Sequence, residues 1–253
     1  MTKATITFLG HTTVLINMDG ILFIIDPNFS KKISLLKRLD DNLINIDTDK
    51  LHQIQVILLT NAHRNRFDTG SFRFFKQTAQ VILPLGSSKF LGKYYRFHKN
   101  ELKAGAETKI GNCQIIALKS LHRGFRTCSA LKTNSLNYML KTPDQTIFYC
   151  SDTRYDGAYF YDIGREYNID LAILPVDHVG IDALAKNRFM NTSQALQAFR
   201  DLNAKKMLPV AFGSFNFAQR KAAKVIENIK AEMLRQNLGD EVCILDRGES
   251  LTI

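Results

Sequence analysis

Short apolar runs, separated by polar punctuation, set the rhythm of the chain. Ile6–Leu9, Val14–Met18 and Ile21–Ile25 predict three closely spaced strands. Asp19-Gly20 between the last two is a two-residue hairpin signal, because both residues tolerate positive φ. Gly10-His11-Thr12-Thr13 forms the turn after the first strand, and Asp26-Pro27 ends the third. Further strands are predicted at Ile54–Leu59, Gln80–Pro84, Ile115–Leu118, Asn137–Leu140, Thr146–Cys150, Asp170–Pro175, Lys206–Val210 and Val242–Leu245. Helical patterning covers Lys31–Leu39 (short and basic), Gly70–Lys76, Thr192–Phe199 with Asn191 or Thr192 as N-cap, and Phe217–Leu238, which Gly239 ends. The order β-rich, β/α, β-rich, β/α predicts an α/β protein of two sheets packed face to face with helices outside. With no internal linker or repeat, the expectation is one domain over residues 1–253.

Composition narrows the classes. A chain of 253 residues, 45% hydrophobic, can bury a sizeable core. No apolar run reaches the ~20 residues of a membrane span, and the N-terminus lacks the apolar block of a secretory signal. Cys113, Cys128, Cys150 and Cys243 are scattered with no CxxC pair, which suits reduced thiols and a cytoplasmic location. The net charge of +10 favours anionic partners: nucleic acid, a phosphorylated metabolite or an acidic lipid surface. Against a dedicated nucleic-acid surface, the basic residues read as spread along the chain, without a long block or arginine–aromatic interleaving. No Gly-x-Ser-x-Gly elbow, P-loop or Rossmann fingerprint is present.

The chemistry concentrates in Thr60-Asn61-Ala62-His63-Arg64-Asn65-Arg66-Phe67-Asp68, directly after the buried run Ile54–Leu59. The end of a buried strand is where α/β proteins place functional groups. Its spacing resembles the His-x-His-x-Asp-His signature of the metallo-β-lactamase superfamily, with Asn61, Asn65 and Arg66 in three of the four ligand places and His63 in the other. The likeness extends to Phe8–Ile16, Ile25-Asp26-Pro27, His122, Ser151-Asp152-Thr153, Asp170–Pro175, Gln194–Phe199 and Leu208–Phe215, in the family's order. It is strongest to the branch of L-ascorbate-6-phosphate lactonases and N-acylphosphatidylethanolamine phospholipases D. The resemblance implies a four-layer αβ/βα sandwich of two mixed sheets and a two-metal hydrolase.

In that family the first metal would be held by positions 61, 63 and 122 and the second by positions 65, 66 and 211, with Asp152 bridging. This chain keeps His63, His122 and Asp152, which is enough for one ion (zinc first, iron or manganese otherwise), and Asn61 could add a weak amide oxygen. Asn65, Arg66 and Ala211 cannot hold the second. The Arg66 guanidinium is expected to stand in for that cation and pair with Asp152. His11 and Asp26 are expected to organise the loops, Asp68 to cap the helix after it, and Asp177 and His178 to lie near the pocket. Arg123 and Arg126 join Arg66 as candidate anion contacts.

Three functions follow as expectations. The first is a non-catalytic member that binds an anionic ligand or partner. The second is a mononuclear hydrolase of a phosphodiester or lactone using His63, His122 and Asp152. The third is a nucleic-acid or membrane-surface binder.

Overall fold

In the computed structural model of the chain, described for residues 3–33, 36–38, 48–92, 95–125, 132–177, 189–212, 214 and 219–253, two mixed sheets face each other. The strands are β1 (Thr5–Gly10), β2 (Thr13–Met18), β3 (Ile21–Ile25), β4 (Lys32–Ile33), β5 (Leu36–Lys37), β6 (Val56–Leu58), β7 (Gln80–Pro84), β8 (His98–Leu102), β9 (Glu107–Ile110), β10 (Cys113–Phe125), β11 (Lys132–Lys141), β12 (Thr146–Tyr149), β13 (Leu171–Pro175), β14 (Lys206–Val210) and β15 (Ser250–Thr252). The α-helices are α1 (Thr48–His52), α2 (Gly157–Glu166), α3 (Thr192–Asp201) and α4 (Gln219–Gln236); Thr69–Phe74 and Ser88–Leu91 are 3-10 helices.

One sheet runs β15-β1-β2-β3-β6-β7-β8 and the other β14-β13-β12-β11-β10-β9. Alternate residues of both, among them Ile6, Val14, Ile16, Phe23, Ile115, Tyr138 and Ile147, meet in the inter-sheet core. Outside the six-stranded sheet, α2, α3 and α4 cover Phe148, Phe160, Phe199, Met207 and Ile229. Outside the seven-stranded sheet, α1 and the 3-10 helices cover Ile24, Ile57, Phe67, Phe72 and Val81. This is the expected four-layer arrangement. The parallel pairs β3/β6, β6/β7, β12/β13 and β13/β14 bring the C-terminal ends of these strands to one end of the sandwich.

Local chemistry explains most boundaries. Asp19 and Gly20 both take positive φ (52° and 77°) in the β2–β3 hairpin. Asn191 and Gln194 form a reciprocal capping box at the start of α3. Several expectations are corrected. The described residues of the Lys31–Leu39 segment are not helical: Lys32–Ile33 pairs with Leu36–Lys37, and Arg38 turns inward to the carbonyls of Asn28 and Ser30; residues 34, 35 and 39 lie outside the described residues. Asn237 (φ 54°), rather than Gly239, takes the left-handed position that ends α4, with Leu238 N donating to Met233 O at 2.9 Å. Val242 makes only an isolated bridge with Met207; the closing strand is β15, paired on β1. Gly70–Lys76 is a 3-10 helix over Thr69–Phe74. β8, β9, α1, α2, β15 and the 3-10 helix Ser88–Leu91 are elements that the sequence pattern did not show.

Candidate functional site

The site assembles where strand ends from both sheets meet. The β1–β2 turn supplies His11 and Thr12, the end of β3 supplies Asp26, and the loop after β6 supplies Thr60–Arg66. The other sheet contributes His122, Tyr149, the Ser151-Asp152-Thr153 loop and Ala211. A register shift between Lys119 and Arg123 re-aims β10, so that His122 leaves the regular ladder. Ser120 Oγ, inside that shift, donates to Asp152 O at 2.8 Å and accepts from His122 N at 3.2 Å. His11 and Phe212 form an isolated bridge, and Ala211 N donates to His11 O at 2.7 Å, closing the sheets over this end.

Ligand atoms of His63, His122 and Asp152 lie within 4.8 Å of one another. The two Nε2 atoms of His63 and His122 are 2.8 Å apart, a hydrogen bond in which one ring donates to the other. Arg66, fully buried, reaches past them. Its Nη2 donates to Asp152 Oδ1 at 2.8 Å and its Nη1 to Asp26 Oδ2 at 2.7 Å, with Tyr149 Oη at 3.4 Å. Asn61 holds the remaining Asp152 oxygen: Nδ2 donates to Oδ2 at 3.1 Å, while its Oδ1 accepts from His63 N at 2.9 Å. Asn65 Nδ2 lies 3.2 Å from His11 Nε2. Every position the resemblance assigned to a lost ligand, apart from Ala211, therefore has a side-chain partner inside the site.

Electrostatics follow from this packing. Burial alone would raise Asp152, but the Arg66 charge, then His63 and His122, hold it well below the usual carboxylate range. Burial works against Arg66 as well, yet Asp152, Tyr149 and Asp26 keep it firmly protonated. Asp26 is raised by burial, against the pull of Arg66 and two hydrogen bonds from Thr60 at 2.8 and 2.7 Å. Burial, then the charges of Arg66 and Arg38, push the His11 imidazole down to about 3, so this ring is neutral at ordinary pH.

The remaining candidates lie outside this cluster. Asp68 accepts from Gly70 N, Ser30 N, Phe29 N, Ser30 Oγ and Ser71 Oγ, which caps the Thr69–Phe74 helix and pins the loop after β3. Asp177, just past β13, is not among the three converging ligands. His178, Arg126, Cys128 and the Arg123 side chain fall outside the described residues. Sequence reasoning gave Asp26 a loop-organising job; it is also the second carboxylate on Arg66. Tyr149, whose Oη donates to Thr12 O at 2.6 Å and so ties the two sheets, carried no sequence signal.

Residues 22–212 match the family model of the beta-lactamase superfamily domain. The chain belongs to that family. An uncharacterised protein of Mycobacterium tuberculosis is 20% identical over 240 residues, covering 90% of this chain and 64% of its own length. The chain thus spans about two thirds of that relative. A UPF0173 metal-dependent hydrolase of Anoxybacillus flavithermus is 24% identical over 237 residues, covering 89% of this chain and 93% of the relative. Among solved structures, a possible metal-dependent hydrolase from Veillonella parvula superposes with a TM-score of 0.82 at 12% identity, covering all of both chains. This metallo-β-lactamase-fold protein therefore carries its superfamily's architecture. At the positions assigned to the second metal stand an amide, a guanidinium and a methyl, which do not fit a cation. His63, His122 and Asp152 do fit a single ion by donor type, although Arg66 and Asn61 already engage both Asp152 oxygens.

Proposed function

We propose that this superfamily member has given up two-metal hydrolysis and uses the site to bind an anionic ligand or partner. One observation carries the reading: the buried Arg66 guanidinium bridges Asp26 and Asp152, supplying from within the chain the positive charge that two carboxylates at this depth require. Asn65, at the place from which the family orients and deprotonates the attacking water, is an amide and no base. The net charge of +10 and the exposed Arg64 beside His63 favour an anion as the ligand.

A second reading rests on the convergence of His63, His122 and Asp152 within 4.8 Å. These three would hold one ion, zinc before iron or manganese, which would supply Lewis-acid activation of water toward a phosphodiester or lactone. Holding such an ion would require the His63 and His122 rings to give up their mutual hydrogen bond, while Asp152 would keep acceptor capacity for Arg66.

Metal analysis by mass spectrometry, on untagged protein purified without chelators, separates the two. The proposal expects far less than one equivalent, even after incubation with zinc, iron and manganese, together with a thermal shift on adding inorganic phosphate or a phosphate monoester. About one equivalent of tightly held metal, with turnover lost on His122→Ala, would replace it with the mononuclear hydrolase.

A further inference from the structure

The chain carries a second feature, in the layer outside the seven-stranded sheet. From residue 69 to residue 100 there is no Asp or Glu, while Arg73, Lys76, Lys89, Arg96 and Lys99 are all exposed, with His98 exposed beside them. From Lys50 to Asn100 the only acid is Asp68, whose oxygens are taken up in capping. Among the described residues the acids that flank this stretch in sequence are Asp49 on α1 and Glu101 on β8, and Glu101 accepts from Ser88 N at 2.7 Å. The expectation of scattered charge without aromatic interleaving fails here: Phe72-Arg73-Phe74 and Tyr95-Arg96-Phe97 alternate cation and ring.

Packing draws the three cation-bearing segments together. Phe72 contacts Tyr95 (5.8 Å between centroids), Phe97 (5.5 Å) and Phe67 (5.7 Å), and Phe67 contacts Phe90 (6.4 Å). Arg73 follows Phe72, Arg96 lies between Tyr95 and Phe97, and Lys89 precedes Phe90, so all three cations flank members of one aromatic cluster. Arg96 N donates to Gln77 Oε1 at 2.8 Å, which ties the Arg96 backbone to the segment that follows the Thr69–Phe74 helix. The Arg73 guanidinium lies 4.7 Å from the Phe74 ring centroid and Lys89 Nζ 5.2 Å from that of Phe90. Among the described residues none of these cations has a carboxylate partner.

We propose that this layer is a docking surface for single-stranded nucleic acid. The exposed cations meet backbone phosphates, and the partly exposed rings of Phe74 and Tyr95 offer edges against which unpaired bases pack. A lipid surface is the poorer fit. Bilayer binding needs apolar side chains that protrude, and of the exposed large apolar residues described, only Leu85 lies in this layer. The inference is independent of the metal question, because none of these side chains touches the His63–Asp152 site.

The test is fluorescence anisotropy of a labelled oligouridylate across a salt series, with wild type and two charge-reversed proteins. One carries Arg73→Glu, Lys76→Glu, Arg96→Glu and Lys99→Glu. The other carries Lys3→Glu, Arg165→Glu, Lys224→Glu and Lys230→Glu, so both have the same net charge. Thermal unfolding checks that each is folded. Wild type should bind with a salt slope that falls by about 0.7 per lost phosphate contact in the first variant, with an affinity loss of at least about tenfold, while the second stays near wild type. Phe74→Leu, which leaves every charge in place, should weaken binding further through lost stacking. Equal losses in both variants would reduce the effect to net charge and overturn the proposal. So would absent oligonucleotide binding, or co-sedimentation with phosphatidylserine vesicles in its place.

Discussion

At the scale of single residues, the energetics of the centre hinge on Arg66, which bridges two buried carboxylates. Arg66→Met keeps the side chain's bulk and leaves Asp26 and Asp152 buried with no cation between them. Removing one partner of such a pair costs about 3–5 kcal/mol, because the remaining charges stay desolvated. Urea unfolding at neutral pH should show that loss. The penalty should shrink as the pH falls, since protonating the two acids removes the stranded charge; a constant difference across pH would argue that Arg66 acts only by packing. His11 provides a second titration. Its folded pKa of about 3 lies below the unfolded value near 6.5, so the unfolded chain binds the extra proton between those limits. Stability from His11 is complete above about pH 6.5 and falls as the solution is acidified, by up to about 1.4 kcal/mol per pH unit. His11→Asn, whose residue type also tolerates the positive φ of 53° here, should flatten that slope by about one proton; an unchanged slope would mean that the ring titrates normally.

At the scale of elements, the sequence was most legible where one local signal sufficed. Asp19-Gly20 announced the hairpin, the short apolar runs announced strands of both sheets, and Asn191-Thr192 announced the start of α3, where Asn191 is the cap. Elements set by tertiary context were hidden. β8 and β9 read His-Lys-Asn-Glu-Leu and Glu-Thr-Lys-Ile, too polar to register as strands, and they form because β7 and β10 offer ladder partners. The site shows the same division. The Asn61, His63, Asn65 and Arg66 positions were readable through the resemblance to the family signature, as was the expected pairing of Arg66 with Asp152, whereas Tyr149 and the Ser120 bridge depend on the meeting of two sheets. Helix α2 carries its own concealed constraint. A Cβ on Gly164 would stand 2.6 Å from the carbonyl oxygens of Asp201 and Leu202 at the end of α3. Helix propensity favours alanine there by about 1 kcal/mol, yet the contact is with backbone that cannot rotate away. Gly164→Ala should therefore destabilise the protein by about 1–3 kcal/mol in thermal or urea unfolding; a gain would show that α2 can lift off α3 freely.

At the scale of the whole molecule, the question is what an α/β sandwich needs at the end where its loops converge. Arg66 is anchored there by one carboxylate from each sheet, and in the function proposed above it takes the place of the cations that the family resemblance implies. If that is the arginine's role, restoring the ligands should make stability depend on metal. A chain carrying Asn61→His, Asn65→Asp, Arg66→His and Ala211→His removes the internal cation and adds one more acid beside Asp26 and Asp152. Without metal it should be markedly less stable than wild type, for the reason given for Arg66→Met. Zinc should then restore it, since a ligand held at a hundred times its dissociation constant contributes about 2.7 kcal/mol to the folded state, and mass spectrometry should find two ions per chain. Wild type under the same conditions should unfold at an unchanged temperature with or without zinc or chelator, its positive charge being unable to leave. A reverted chain that ignores zinc, or a wild type stabilised as much as the reverted one, would show that the fold's closure at this end does not run through the charge on Arg66.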